Sequence, residues 1–141
     1  MSAAGYSDTP LWKKLGLKSG RRLLVIGAPD GWVVPDLPAD VGTTGVPSLA
    51  ADSVPAETIL AFFSERAEIA QDIGALGDRV FPAGAVWIAW PRRAGGHESD
   101  IREQDIRDIA LPLGLVDVKV AALDRDWSGL RLVWRKDRRH T

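Results

Sequence analysis

Three runs of strand length constrain most of what this chain can become: Leu23–Ile26, Ile59–Phe63 and Ala85–Trp90 are apolar at every position. A strand with one wet face alternates polar and apolar residues. Runs without alternation need cover on both faces, as strands of a parallel sheet have. Helical patterns separate and follow them. Ala67, Ile69, Ala70, Ile73 and Leu76 recur at helical spacing, with Arg66, Glu68 and Asp72 on the other side. They predict a helix from about 65 to 80, capped by Ser64. Pro91 stops the third run, and Ile106, Ile109, Ala110 and Leu113 predict a second helix over about 102–113, closed by Pro112 and Gly114. A short helix opens the chain, with Thr9 as N-cap, Pro10 at its first position and Gly16 at its end.

The C-terminal third has a different pattern. Val116, Val118, Val120 and Ala122 share one face of a strand whose other face holds Asp117 and Lys119. Leu130, Leu132 and Trp134 alternate with Arg131, Val133 and Arg135, and Asp124–Gly129 joins the two segments. This is an antiparallel hairpin at the sheet edge. Residues 33–56 contain Pro35, Pro38, Pro47, Pro55, Gly42 and Gly45, which break any period and predict loop with at most one short element. The expected fold is therefore α/β: three parallel strands, a C-terminal antiparallel hairpin and helices on both faces. The 141 residues make one domain, with flexible ends at 1–8 and 137–141. The first strand, having no outer neighbour, leaves an edge suited to a protein partner or homodimer.

Charge and composition exclude several functions. The chain has no cysteine, so thiolate chemistry and disulfides are absent. His97 and His140 stand far apart in polar surroundings, which excludes a histidine-rich metal site. No run approaches the roughly 18 apolar residues of a membrane helix, and the N-terminus has no secretion signal, so a cytoplasmic location without membrane contact is expected. A pI near 6.1 and the absence of a known motif argue against nucleic acid. Net charge is −1, yet residues 23–65 hold six acids and no base, whereas residues 1–22 and 127–141 are basic.

Leu15–Gly20 followed by Arg21–Gly31 (Arg-Arg-Leu-Leu-Val-Ile-Gly-Ala-Pro-Asp-Gly) resembles the entry to class I S-adenosylmethionine-dependent methyltransferases. The closing hairpin is similar to that superfamily's ending. A closer resemblance is to a bacterial family of short Rossmann-like proteins, a domain of unknown function. It shares Leu15–Gly20, Trp90-Pro91-Arg92-Arg93, Leu111–Val120 and Asp126–Leu130. The resemblance implies a truncated methyltransferase-like Rossmann fold and no particular activity. Against the methyltransferase pattern, Val25 stands where an acid should precede the glycine loop, and Pro29 and Asp30 intrude into that loop. The stretch between Gly27 and Thr58 is too short for two ordinary strand–helix units. The half of the fold that reads adenosine is expected to be missing, so no cofactor is implied.

Open α/β sheets bind ligands where loops converge at the carboxyl ends of their strands. Gly27, Ala28 and Gly31 of the first loop, with Trp90, Arg92 and Arg93 at the end of the third strand, are the candidate ligand-binding residues. The arginines suit a small anion, and the glycines permit close backbone approach. Read as plain surface, the same residues are an exposed basic pair and turn glycines. Trp87 is expected in the core, and Trp127 folded back against the hairpin. His97, Glu98 and Asp100 cluster in one loop without a nucleophile or orienting partner, so no catalytic residue is assigned. The sequence supports a non-catalytic scaffold for protein contact or small-anion binding. A divergent methyltransferase or other nucleotide-binding enzyme is the alternative.

Overall fold

The computed structural model describes residues 9–49, 56–93, 96 and 98–139. One six-stranded sheet runs through it, in the order β2-β1-β3-β4-β6-β5. β1 (Arg22–Ile26), β2 (Gly42–Val46), β3 (Thr58–Phe62) and β4 (Ala85–Pro91) are parallel. β5 (Leu115–Ala122) and β6 (Trp127–Trp134) form the hairpin, with β6 antiparallel to both β4 and β5. The α/β class, the hairpin and the flanking helices are those expected from the sequence.

The parallel part nevertheless holds four strands, not three. β2 lies in the proline- and glycine-broken segment, and its sequence Gly-Thr-Thr-Gly-Val is exposed or half-exposed throughout. It has no hydrophobic signature because it is held by its backbone ladder to β1, from Arg22 opposite Gly42 to Ile26 opposite Val46. β1 is consequently not an edge: it is flanked by β2 and β3, and the free parallel edge belongs to β2.

The two faces are covered unequally. α2 (Arg66–Val80) and α3 (Glu103–Ala110) pack on one face, where Ile69, Ile73, Leu76 and Ile106 meet Ile59, Val86, Ile88 and Leu130. The opposite face is covered by the four-residue α1 (Leu11–Lys14) and by the coil of residues 28–41, through Leu11, Leu15, Val34 and Val41. Pro10, not Thr9, is the N-cap of α1, because the helix starts one residue later than expected. Trp87 and Trp90 lie in opposite cores, as their parity on β4 requires. Trp87 is fully enclosed, and its indole N–H donates to the Leu15 carbonyl at 3.1 Å.

A bulge modifies the hairpin. Asp117 pairs with Leu132 and Lys119 with Arg131, leaving Val118 without a cross-strand partner. The expected stripe of Val116, Val118, Val120 and Ala122 is thereby split, since the extra residue reverses the side-chain alternation. Asp117 instead turns toward α3 and accepts from Arg107 Nε at 2.9 Å. That bond, with a second to Glu103 one helical turn away, holds the Arg107 guanidinium above the ordinary arginine range. The C-terminal segment carries a 3-10 turn at Lys136–Arg138, and Arg139 Nε donates to the Trp134 carbonyl at 2.8 Å.

Candidate functional site

The carboxyl ends of the four parallel strands present their loops at one edge of the molecule. After β1 the chain passes to the coil-covered face, and after β3 it enters α2 on the other face, so the connections change faces between the parallel strands β1 and β3. Gly27 sits at that point with φ +70°, and a Cβ there would lie 3.4 Å from the Phe62 carbonyl. Its N–H donates to the Val46 carbonyl at 2.9 Å. A side chain there would be strained by the backbone angle.

Next to Gly27 the edge is filled by the chain's own aromatics. Phe62, the last residue of β3, takes Trp32 on one side and Trp127 on the other, both edge-to-face, at 4.8 and 4.9 Å between centroids. Trp127 thus folds inward, as expected. Asp124 locks the arrangement: Oδ2 accepts from Trp32 Nε1 at 3.0 Å, and Oδ1 accepts from the backbone N–H groups of Asp126 and Trp127, each at 2.8 Å. Arg92 adds a further tie, its backbone N–H donating to the Asp126 carbonyl (2.8 Å) and Nη1 to the Asp124 carbonyl (3.0 Å).

The amino end of α2, a natural seat for an anion, is taken by carboxylates of this chain. Glu68 accepts from the N–H groups of Ser64 and Glu65 at 3.4 and 3.1 Å, and Asp100 accepts from that of Arg66 at 2.9 Å. Asp100 is therefore a helix cap. Glu98 is exposed, and His97 lies outside the described residues. No group of three or more metal-ligating side chains occurs among the described residues.

The six candidate residues all reach this edge but line three separate concavities. Trp90, Arg92 and Arg93 border a shallow cavity of about 320 Å3 together with Arg102, Glu103 and Ser128. Gly27 borders one of about 240 Å3 that also contains Glu68 and Asp72. Ala28 and Gly31 border the largest of the three, about 530 Å3, between the β1–β2 end of the sheet and the coil above it. Arg102, absent from the sequence-derived set, brings a third guanidinium to the Trp90 cavity. Its sequence signal was its place at the start of the helix after the arginine loop. Asp124 and Trp32 were missed as the clamp that closes the switch point, because no local pattern links positions so far apart.

Val25 is 8% exposed and belongs to the coil-covered core. The strand next to β1, expected to be missing, is present as β2, but no helix joins it to β1 among the described residues. It ends in Val46-Pro47-Ser48. No carboxylate stands at that end of β2 among the described residues, which run to Leu49.

No protein-family model and no curated protein matches the sequence. The similarity is to solved structures. TnmH superposes with a TM-score of 0.63 at 17% identity over 94% of this chain, which spans 52% of TnmH. The CcbJ methyltransferase from Streptomyces caelestis gives 0.59 at 10% identity, covering 89% of this chain and 88% of that one. Magnesium protoporphyrin IX methyltransferase from Synechocystis PCC 6803, solved with bound SAM, gives 0.59 at 15% identity, covering 88% and 74%. At these identities the likeness establishes the fold. The chain has a methyltransferase-like Rossmann fold.

Proposed function

We propose that this chain is a methyltransferase-like scaffold that binds a small anion, a phosphate or carboxylate group, at the arginine-lined cavity beside Trp90, and that it transfers no methyl group. The observation that carries this reading is the convergence of Arg92, Arg93 and Arg102 on one concavity. Arg93 and Arg102 are exposed and form no side-chain ion pair or hydrogen bond among the described residues. Arg92 is anchored to the hairpin turn, which gives the site one preoriented donor group. Glu103, the cavity's acid, is engaged by Arg107. The absence of methyl transfer is supported by the aromatic filling around Phe62 and by the apolar residues at position 25 and at the end of β2.

The test is thermal unfolding with and without inorganic phosphate and pyrophosphate. A ligand that binds only the native state at about 100 times its dissociation constant adds about 2.7 kcal/mol. Replacing Arg93 and Arg102 with Ala is expected to abolish the rise in Tm while moving the ligand-free stability by no more than about 0.5 kcal/mol, because both are surface residues. Arg92→Ala is a poorer probe, since it also frees the hairpin turn. A double variant that keeps the full response overturns the reading, as does a wild-type protein with no response to either anion.

A further inference from the structure

The largest of the three cavities lies away from the arginines and has the opposite character. We propose that it is a second small-molecule site, for a flat aromatic or alicyclic ring carrying a protonated amine. Its volume of about 530 Å3 lies within the range that takes small organic ligands, roughly 300–1,000 Å3. Its walls are mixed: Val25 and Val46 from the sheet and Trp32, Val34 and Leu37 from the coil above supply apolar side chains, beside the polar Asp30 and Thr43.

Trp32 forms a fixed wall. Its N–H is spent on Asp124 and its ring is seated against Phe62, so little side-chain freedom remains to be lost when a ligand arrives. Val33, 72% exposed, also lines the cavity and offers an apolar lip to the solvent.

Charge sets the class of ligand. Among the described residues, Asp30 is the one ionisable group lining the cavity. The coil of residues 28–41 that roofs it holds Asp30, Asp36 and Asp40 and no lysine or arginine. An anionic ligand meets no compensating charge in this cavity, while an ammonium group gains a charge-assisted hydrogen bond to Asp30. This site is independent of the anion site beside Trp90, and either proposal stands if the other fails.

Gly45 provides a way to close the cavity without touching the core. It lines the cavity opposite Val25 on the neighbouring strand, has no positive φ, and a Cβ there meets nothing within 4 Å. Gly45→Leu therefore fills the cavity from the edge strand.

The experiment is calorimetric titration with two probes that share a ring and differ in charge, tryptamine and indole-3-propionate. Saturable binding of tryptamine is expected, with indole-3-propionate at least about tenfold weaker. Asp30→Asn should weaken tryptamine about tenfold or more and narrow the gap between the probes. Gly45→Leu should remove tryptamine binding while keeping the wild-type circular dichroism spectrum. If that variant does not fold, Gly45→Val is the substitute, with weakened tryptamine binding expected. The proposal is overturned by absence of saturable tryptamine binding, by equal affinity for the two probes, or by unchanged binding in either the Asp30 or the folded Gly45 variant.

Discussion

At the scale of single residues, the tryptophans separate core from clamp. Trp87 is completely enclosed at mid-strand, hydrogen-bonded to Leu15, and a Cβ on Gly129 would come within 3.0 Å of its ring. Truncating it empties the centre of the coil-covered core. Trp87→Ala should cost about 3–5 kcal/mol in urea unfolding, a large part of what a small domain has. Trp127 is half-buried and touches Phe62 with one edge, so Trp127→Ala should cost clearly less, about 1–2 kcal/mol. Asp124 matters out of proportion to its size, because one carboxylate serves three donors. Asp124→Ala strands the Trp32 indole N–H and two backbone N–H groups and should cost about 1–3 kcal/mol. Asp124→Asn keeps one carbonyl oxygen for the backbone pair and should cost less in the same unfolding measurement.

At the scale of elements, α2 gives a paired test of packing against propensity. Gly74 and Gly77 both weaken the helix, and Gly→Ala in a helix interior gains about 1 kcal/mol where space allows. Gly74 has open space around it, so Gly74→Ala should raise the Tm. At Gly77 a Cβ would lie 3.1 Å from both Leu115 and Trp134. Trp134 cannot yield: its N–H donates to the Gly77 carbonyl at 2.8 Å, and its ring is seated edge-to-face on Phe81. Overpacking of this kind costs about 1–3 kcal/mol, so Gly77→Ala should lower the Tm despite its better helix propensity. The same contrast between local pattern and tertiary contact explains which elements were legible in the sequence. The apolar runs of β1, β3 and β4 and the periodicity of α2 and α3 carry their own signal, because each buries side chains. β2 buries almost none and is specified by a neighbour's backbone. The bulge at Val118 is equally silent, since a shift of one residue leaves the alternation of the sequence untouched. The candidate residues were legible as an edge of the sheet, but their division among three cavities depends on where the coil of residues 28–41 and the hairpin turn come to rest.

At the scale of the whole molecule, the chain has a methyltransferase-like fold with apolar residues at positions where the methyltransferase pattern carries acids. Position 25 is apolar and buried, β2 ends in valine, and aromatic rings gather around Phe62. Calorimetry with S-adenosylmethionine should accordingly give a dissociation constant weaker than about 1 mM, above −4.1 kcal/mol of binding free energy. A micromolar constant would instead favour the divergent-enzyme alternative. The two proposed sites differ in the charge of the ligand they would take, and both lie at the carboxyl edge of the sheet, on either side of the Phe62 aromatics.

The strand order also governs how the chain comes together on emerging from a ribosome. β1 pairs with β3 across the whole acidic segment, and the apolar runs of both emerge before β4 and the hairpin exist to shelter them. Closing such distant pairs is slow, whereas β5 and β6 are joined by a short turn and zip locally. Until β4 and then β6 have been made, β3 lacks the neighbours that complete the sheet on its side. β2 is then an asset on one side only: its edge carries no aliphatic row for another nascent chain to join, whereas the apolar β3 stays open on the other side until β4 pairs with it.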